Sequence, residues 1–150
     1  MRYGLGLFCA CLLFLTGCGK SVSPSPTKVT TMGTAEVTAK LIDIQGEFPP
    51  NQLYDYAYVM KYRVLKVHRG QVPAGDILVG HYNPLKTRTE ARDRFSGPLG
   101  GNVGRFKVGD VHRLALEAPL DQVFMGGIID KYIEEKGARY WAIWTDYARE

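Results

Sequence analysis

Beyond residue 18 the sequence has no cysteine: the three it contains are Cys9, Cys11 and Cys18. A folded body without thiols forms no disulfide, offers no cysteine nucleophile and builds no thiolate metal site. Serine is nearly as scarce. Ser21, Ser23 and Ser25 fall in one polar stretch, and Ser96 has no G-x-S-x-G context, so a Ser-His-Asp hydrolase is rejected. A long apolar run is also missing, because Leu5 to Leu15 spans only eleven residues where a membrane-crossing helix needs roughly 20. Charge of one sign is in short supply: 19 basic residues stand against 15 acidic ones, a surplus too small for a nucleic-acid footprint. A two-carboxylate glycosidase needs a cleft that so small a domain rarely encloses. The expectation is a protein that is not an enzyme and carries no cofactor.

What is present at the start is informative. Arg2, the apolar run and then Leu15-Thr16-Gly17-Cys18 read as a signal segment that ends on a cysteine instead of an A-x-A site. This resembles the bacterial lipobox. The resemblance implies export, diacylglyceryl transfer to the Cys18 thiol and cleavage before Cys18. One acyl chain anchors only marginally at ~0.8 kcal/mol per buried methylene, so the two or three chains such a residue carries make attachment stable. Gly19 after the cysteine is similar to the outer-membrane sorting pattern, facing the periplasm, if the source is Gram-negative; a Gram-positive source would use the plasma membrane. Loss of residues 1–17 removes Arg2 and leaves 133 residues with a net charge of about +3. Residues 18–34, "CGKSVSPSPTKVTTMGT", then form a flexible tether, and 35–150 one β-rich domain.

Along that domain, Glu36 to Ile44 alternates with Val37, Ala39 and Leu41 on one face, as a half-buried strand does. Tyr56 to His68 is the longest strand candidate, with Tyr58, Met60, Tyr62 and Val64 on one face. Its apolar parity then switches to Leu65 and Val67, which signals a bulge or a turn of the strand into a second layer. Ile77–Tyr82, Val111–Ala118 and Arg139–Tyr147 supply further strands. Between them, 45–56 and 83–105 are long loops, the second read as a surface excursion. Residues 119–136 change period, with Leu120, Val123, Phe124, Ile128 and Tyr132 at helical spacing and Gly137 as a cap. The fold class is therefore mainly β: a small OB-like barrel or a two-layer β-sandwich with one helix before the last strand.

Val64-Leu65-Lys66-Val67 with Gly70, Ile77-Leu78-Val79, Phe106-Lys107-Val108-Gly109-Asp110 and Leu114-Ala115-Leu116 give the domain a pattern similar to OB-like barrels of the netrin and tissue-inhibitor type. The resemblance implies the barrel. It does not carry over the inhibitory mechanism, which uses a free N-terminal cysteine amine and relies on disulfides, since Cys18 is expected to be acylated.

Three constellations remain. His68, His81 and His112, all at or near strands, could bind zinc or copper if brought together, although their spacing does not force convergence. Lys86, Arg88, Arg92 and Arg94 lie in a mixed-charge stretch that could steer an acidic partner. Tyr54 and Tyr56, at a loop boundary, are placed to contact a partner, whereas Tyr58 and Tyr62 belong to the core. The leading expectation is a membrane-anchored lipoprotein of the cell envelope whose two long loops bind an envelope protein or polysaccharide. The alternative is a histidine-based metal-binding lipoprotein.

Overall fold

The computed structural model describes residues 31–148. The lipobox, Cys18 and most of the expected tether lie outside the described residues. Six strands and two one-turn helices follow in the order β1 (Ala35–Asp43), β2 (Tyr56–Arg69), β3 (Asp76–Tyr82), α1 (Arg88–Ala91), β4 (Val111–Glu117), α2 (Leu120–Val123), β5 (Gly127–Ile129) and β6 (Arg139–Tyr147). β1 pairs antiparallel with both β2 and β4; β4 pairs with β6, β6 lies parallel to β3, and β3 returns to β2. The ring is closed, so of the two architectures expected the fold is the barrel, with five strands in its wall. Closure leaves these strands few open edges for unwanted pairing.

Alternation in the strands sorts two apolar clusters. Val37, Ala39 and Leu41 of β1, Tyr58, Met60 and Tyr62 of β2, Ile77 and Val79 of β3, and Leu114 and Leu116 of β4 fill the interior. The opposite faces of β2, β3 and β6 hold Ala57, Val59, Leu78, Tyr82, Trp141 and Ile143, which pack under Leu120 and Phe124 outside the wall. Phe124 stacks on Trp141 with centroids 4.7 Å apart, and Gly80 lets Leu120 approach β3 so closely that a Cβ there would sit 2.8 Å from its side chain. The aromatic final strand is thus covered on both faces.

Buried tyrosines do much of the work that disulfides do in many small domains. Tyr56, Tyr58, Tyr62, Tyr82 and Tyr132 are all below 2 % exposed, each worth roughly 2–3 kcal/mol in apolar burial. Their hydroxyls tie loops to the wall: Tyr56 donates to the Pro49 carbonyl at 2.6 Å, Tyr58 to that of Gln45, Tyr82 to Asp93 Oδ2 at 2.8 Å and Tyr132 to Asp43 Oδ2 at 3.0 Å.

Two expectations change. The helix read over 119–136 is confined to Leu120–Val123. Gly126-Gly127 disfavours continuation, and Gly127–Ile129 instead adds to the start of β2, at Tyr56–Tyr58, beyond the end of β1. The glycine-rich part of 83–105 is no surface excursion. Gly100 exchanges backbone hydrogen bonds with Ile143 and Thr145 of β6, both 3.0 Å, and Leu99 and Val103 are buried. Gly101 makes this docking possible: its φ is +125°, and a Cβ would lie 1.9 Å from the Thr145 carbonyl oxygen. The bulge read after Val64 is present in the β1–β2 register, where Leu65 is passed over between the Ala39–Val64 and Thr38–Lys66 pairs, and Leu65 and Val67 are exposed. At the other border, Arg69 donates to the carbonyls of Met32 and Gly33 (2.5 and 2.6 Å), so these residues are held to the barrel.

Candidate binding surface

The two long loops meet. Asn83, just after β3, sits at φ 42° and is fully buried. Its Oδ1 accepts from Asn51 Nδ2 at 2.8 Å and from the Tyr56 amide at 3.1 Å, while its Nδ2 donates to Asp55 Oδ1 at 2.7 Å. Asn is among the few residues that tolerate a left-handed backbone, and here that conformation turns the side chain onto the opposite loop. Lys86 Nζ adds an ion pair to Asp55 Oδ1 at 3.3 Å. The rim so formed exposes Leu53, Tyr54 and Leu85. Pro50, Asn51, Gln52, Leu85 and Lys86 line a shallow open groove along it.

The residues singled out in the sequence divide sharply. Tyr54 is exposed and leans on the Tyr56 ring at 5.6 Å. Tyr56 itself is buried, its hydroxyl committed to Pro49, and burial pushes its pKa up to about 12; it supports the rim and cannot contact a partner. Arg88 is likewise buried. It begins α1 behind a capping box of Thr87 and Glu90. Its guanidinium turns inward, donating to the carbonyls of Tyr82 (2.7 Å), Asn83 (2.9 Å) and Lys86 (2.9 Å). It therefore organises the 83–87 turn and steers nothing in solvent. Lys86, Arg92 and Arg94 do reach the surface, with Arg94 lying 4.5 Å over the exposed Phe95 ring. Ser96 is a turn residue, bonded through its hydroxyl to the backbone of Asp93.

The histidines separate into one and two. His68 contacts the Thr38 hydroxyl at 2.8 Å, and burial followed by Arg113 lowers its pKa. His81 and His112 are inside the barrel at 0 % exposure, joined there by Tyr62 and Phe106. Tyr62 Oη lies 3.1 Å from His112 Nδ1. Burial holds the His81 pKa well below its ordinary value and brings that of His112 down to about 4. Among the described residues no three His, Cys, Asp or Glu side chains gather as metal ligands, and His68 does not join the other two.

Leu53, Leu85 and Asn83 carried no side-chain signal of function. The Asn83-Pro84 dipeptide after a strand is a turn marker, and it alone points to the position that joins the loops. No protein-family model matches the chain, and comparison with curated proteins and with solved structures gives no significant match.

Proposed function

We propose that the chain is a lipid-anchored cell-envelope protein, attached through Cys18, whose barrel is a non-catalytic binding module for another envelope protein. The single observation that carries the binding reading is the rim: two long loops cross-linked by Asn83, presenting Leu53, Tyr54 and Leu85 beside the Lys86–Asp55 pair. Exposed aliphatic side chains bordered by polar groups form the anatomy of a protein contact. A polysaccharide would be better served by several flat aromatic faces, and of Tyr54, Tyr56, Tyr58 and Tyr62 only Tyr54 is exposed. Pinning by Asn83, Tyr56 and Tyr58 holds the rim in one shape, which lowers the ordering cost of association.

The anchor reading rests on Leu15-Thr16-Gly17-Cys18 behind its apolar run, and the polar stretch after Cys18 would let the domain stand clear of the membrane. The test is the double variant Leu53→Asp/Leu85→Asp, produced at native level and compared with wild type for co-purifying envelope proteins after crosslinking. Loss of one specific partner with unchanged thermal stability supports the proposal. Retention of every partner contradicts it.

A further inference from the structure

The barrel interior contains a polar cluster that the rim does not use. The Phe106 ring touches His81 (centroids 4.4 Å), His112 (5.8 Å) and the Arg88 guanidinium (5.0 Å), and Tyr62 contacts both histidines. Four nitrogens of this group are buried without a hydrogen-bond partner: both of His81, Nε2 of His112 and Nε of Arg88. Such groups are costly in a folded protein and call for a reason.

The group combines imidazole N–H donors with one buried cation. Tyr62 Oη and His112 Nδ1 share one hydrogen bond at 3.1 Å; in the tautomer with the proton on Nε2 the hydroxyl donates it, and the orphan Nε2 is then a donor. Arg88 Nε is a donor, and neutral His81 provides one more. Arg88 is a buried cation bonded to three carbonyls, which solvate its charge without neutralising it; among the described residues no carboxylate pairs with it. The other titratable groups facing the cluster are Tyr62, Asp110 and, against His112, Tyr147.

We infer that His81, His112 and Arg88 form a binding site for a small oxyanion inside the barrel, with Phe106 as its cover. A cation is disfavoured by Arg88, and a water molecule would satisfy two of the donors while leaving the charge uncompensated. Phe106 touches three of the cluster's members and is the one at the border of burial, 9 % exposed, on the segment between β6-docked Val103 and β4. It must swing aside for entry.

The experiment is titration of the full chain, ¹⁵N-labelled at histidine, with inorganic phosphate, sulfate and formate at constant ionic strength. The expected result is a saturable shift of the His81 and His112 imidazole resonances with at least one anion, His68 remaining still, and a matching rise in Tm. His81→Leu removes two orphan nitrogens and should weaken that anion about tenfold or more while leaving the anion-free protein as stable or more so; Arg88→Met should weaken it at least as much. If neither variant folds, the wild-type titration decides through its His68 control. No saturable response to any of the three anions, equal movement of His68, or full affinity in a folded His81→Leu protein overturns the site.

Discussion

Replacing Asn83 tests the joint between the two loops. Asn83→Ala removes the acceptor of the buried Tyr56 amide and of Asn51, and the donor to Asp55. A buried amide left without a partner costs about 1–3 kcal/mol. Alanine at φ 42° adds about 1 kcal/mol, because its Cβ crowds the backbone where asparagine gains local compensation. The sum is about 2–4 kcal/mol, or a fall in Tm of roughly 8–16 °C for a domain of this size. Asn83→Gly isolates the parts: it loses the same side-chain bonds without the conformational cost, so it should be about 1 kcal/mol less damaging. Asn83→Asp keeps the acceptor but sets a carboxylate against Asp55, and it should fall below glycine. Urea denaturation followed by Trp141 and Trp144 fluorescence measures all three, with hydrogen exchange at residues 45–56 as the local readout. Equal stability of the alanine and wild-type proteins, or of the alanine and glycine variants, would refute the reasoning.

The remaining predictions concern the interior and the docking of the glycine-rich loop. His81 and His112 have folded pKa values below their unfolded ones, so the unfolded chain takes up protons first and stability falls as pH drops from 6.5. His112 alone, held at about 4, contributes about 3 kcal/mol to that loss by pH 4; urea midpoints between pH 8 and 4 should show it, and a flat profile down to pH 4.5 would contradict it. Gly101→Ala should cost about 3 kcal/mol or more from its collision with Thr145, whereas Gly97→Ala, at φ +65° with open space around it, should cost about 1 kcal/mol; similar Tm values for the two would refute the docking. Arg113→Met leaves the buried Glu36 carboxylate without its partner and should destabilise by about 3 kcal/mol, most of it recovered in Glu36→Leu/Arg113→Met, as a double-mutant cycle in urea would show.

Strands were legible because one face of each is buried, and a period of two records that directly. Val37, Ala39 and Leu41, then Tyr58, Met60 and Tyr62, enter the core as their alternation required. The period also misled where burial came from two directions. Leu120, Phe124 and Tyr132 are all buried, but Leu120 sits in a one-turn helix, Phe124 caps its end and Tyr132 opens a turn beyond β5, so no continuous helix places them there. Charge was the poorest guide to exposure. Arg88 sits among surface charges in sequence, yet three carbonyls draw it inward, and only the fold shows that they converge. Tyr56 failed for the opposite reason, since the residue at a loop boundary is the one whose hydroxyl pins the loop. The rim depends on Asn83 reaching across 32 residues to Asn51, and no local pattern encodes that.

The most direct test of the binding account is site-specific photocrosslinking in cells at native expression, with the probe placed in turn at Leu53, Tyr54 and Leu85. Leu65 and Met125, exposed elsewhere on the barrel, serve as controls, and the set is repeated with Cys18→Ser. The account predicts one envelope protein captured from all three rim positions, absent from both controls, and reduced when Cys18 is replaced. Capture of the same proteins from rim and control positions alike, or of none from the rim, would contradict it.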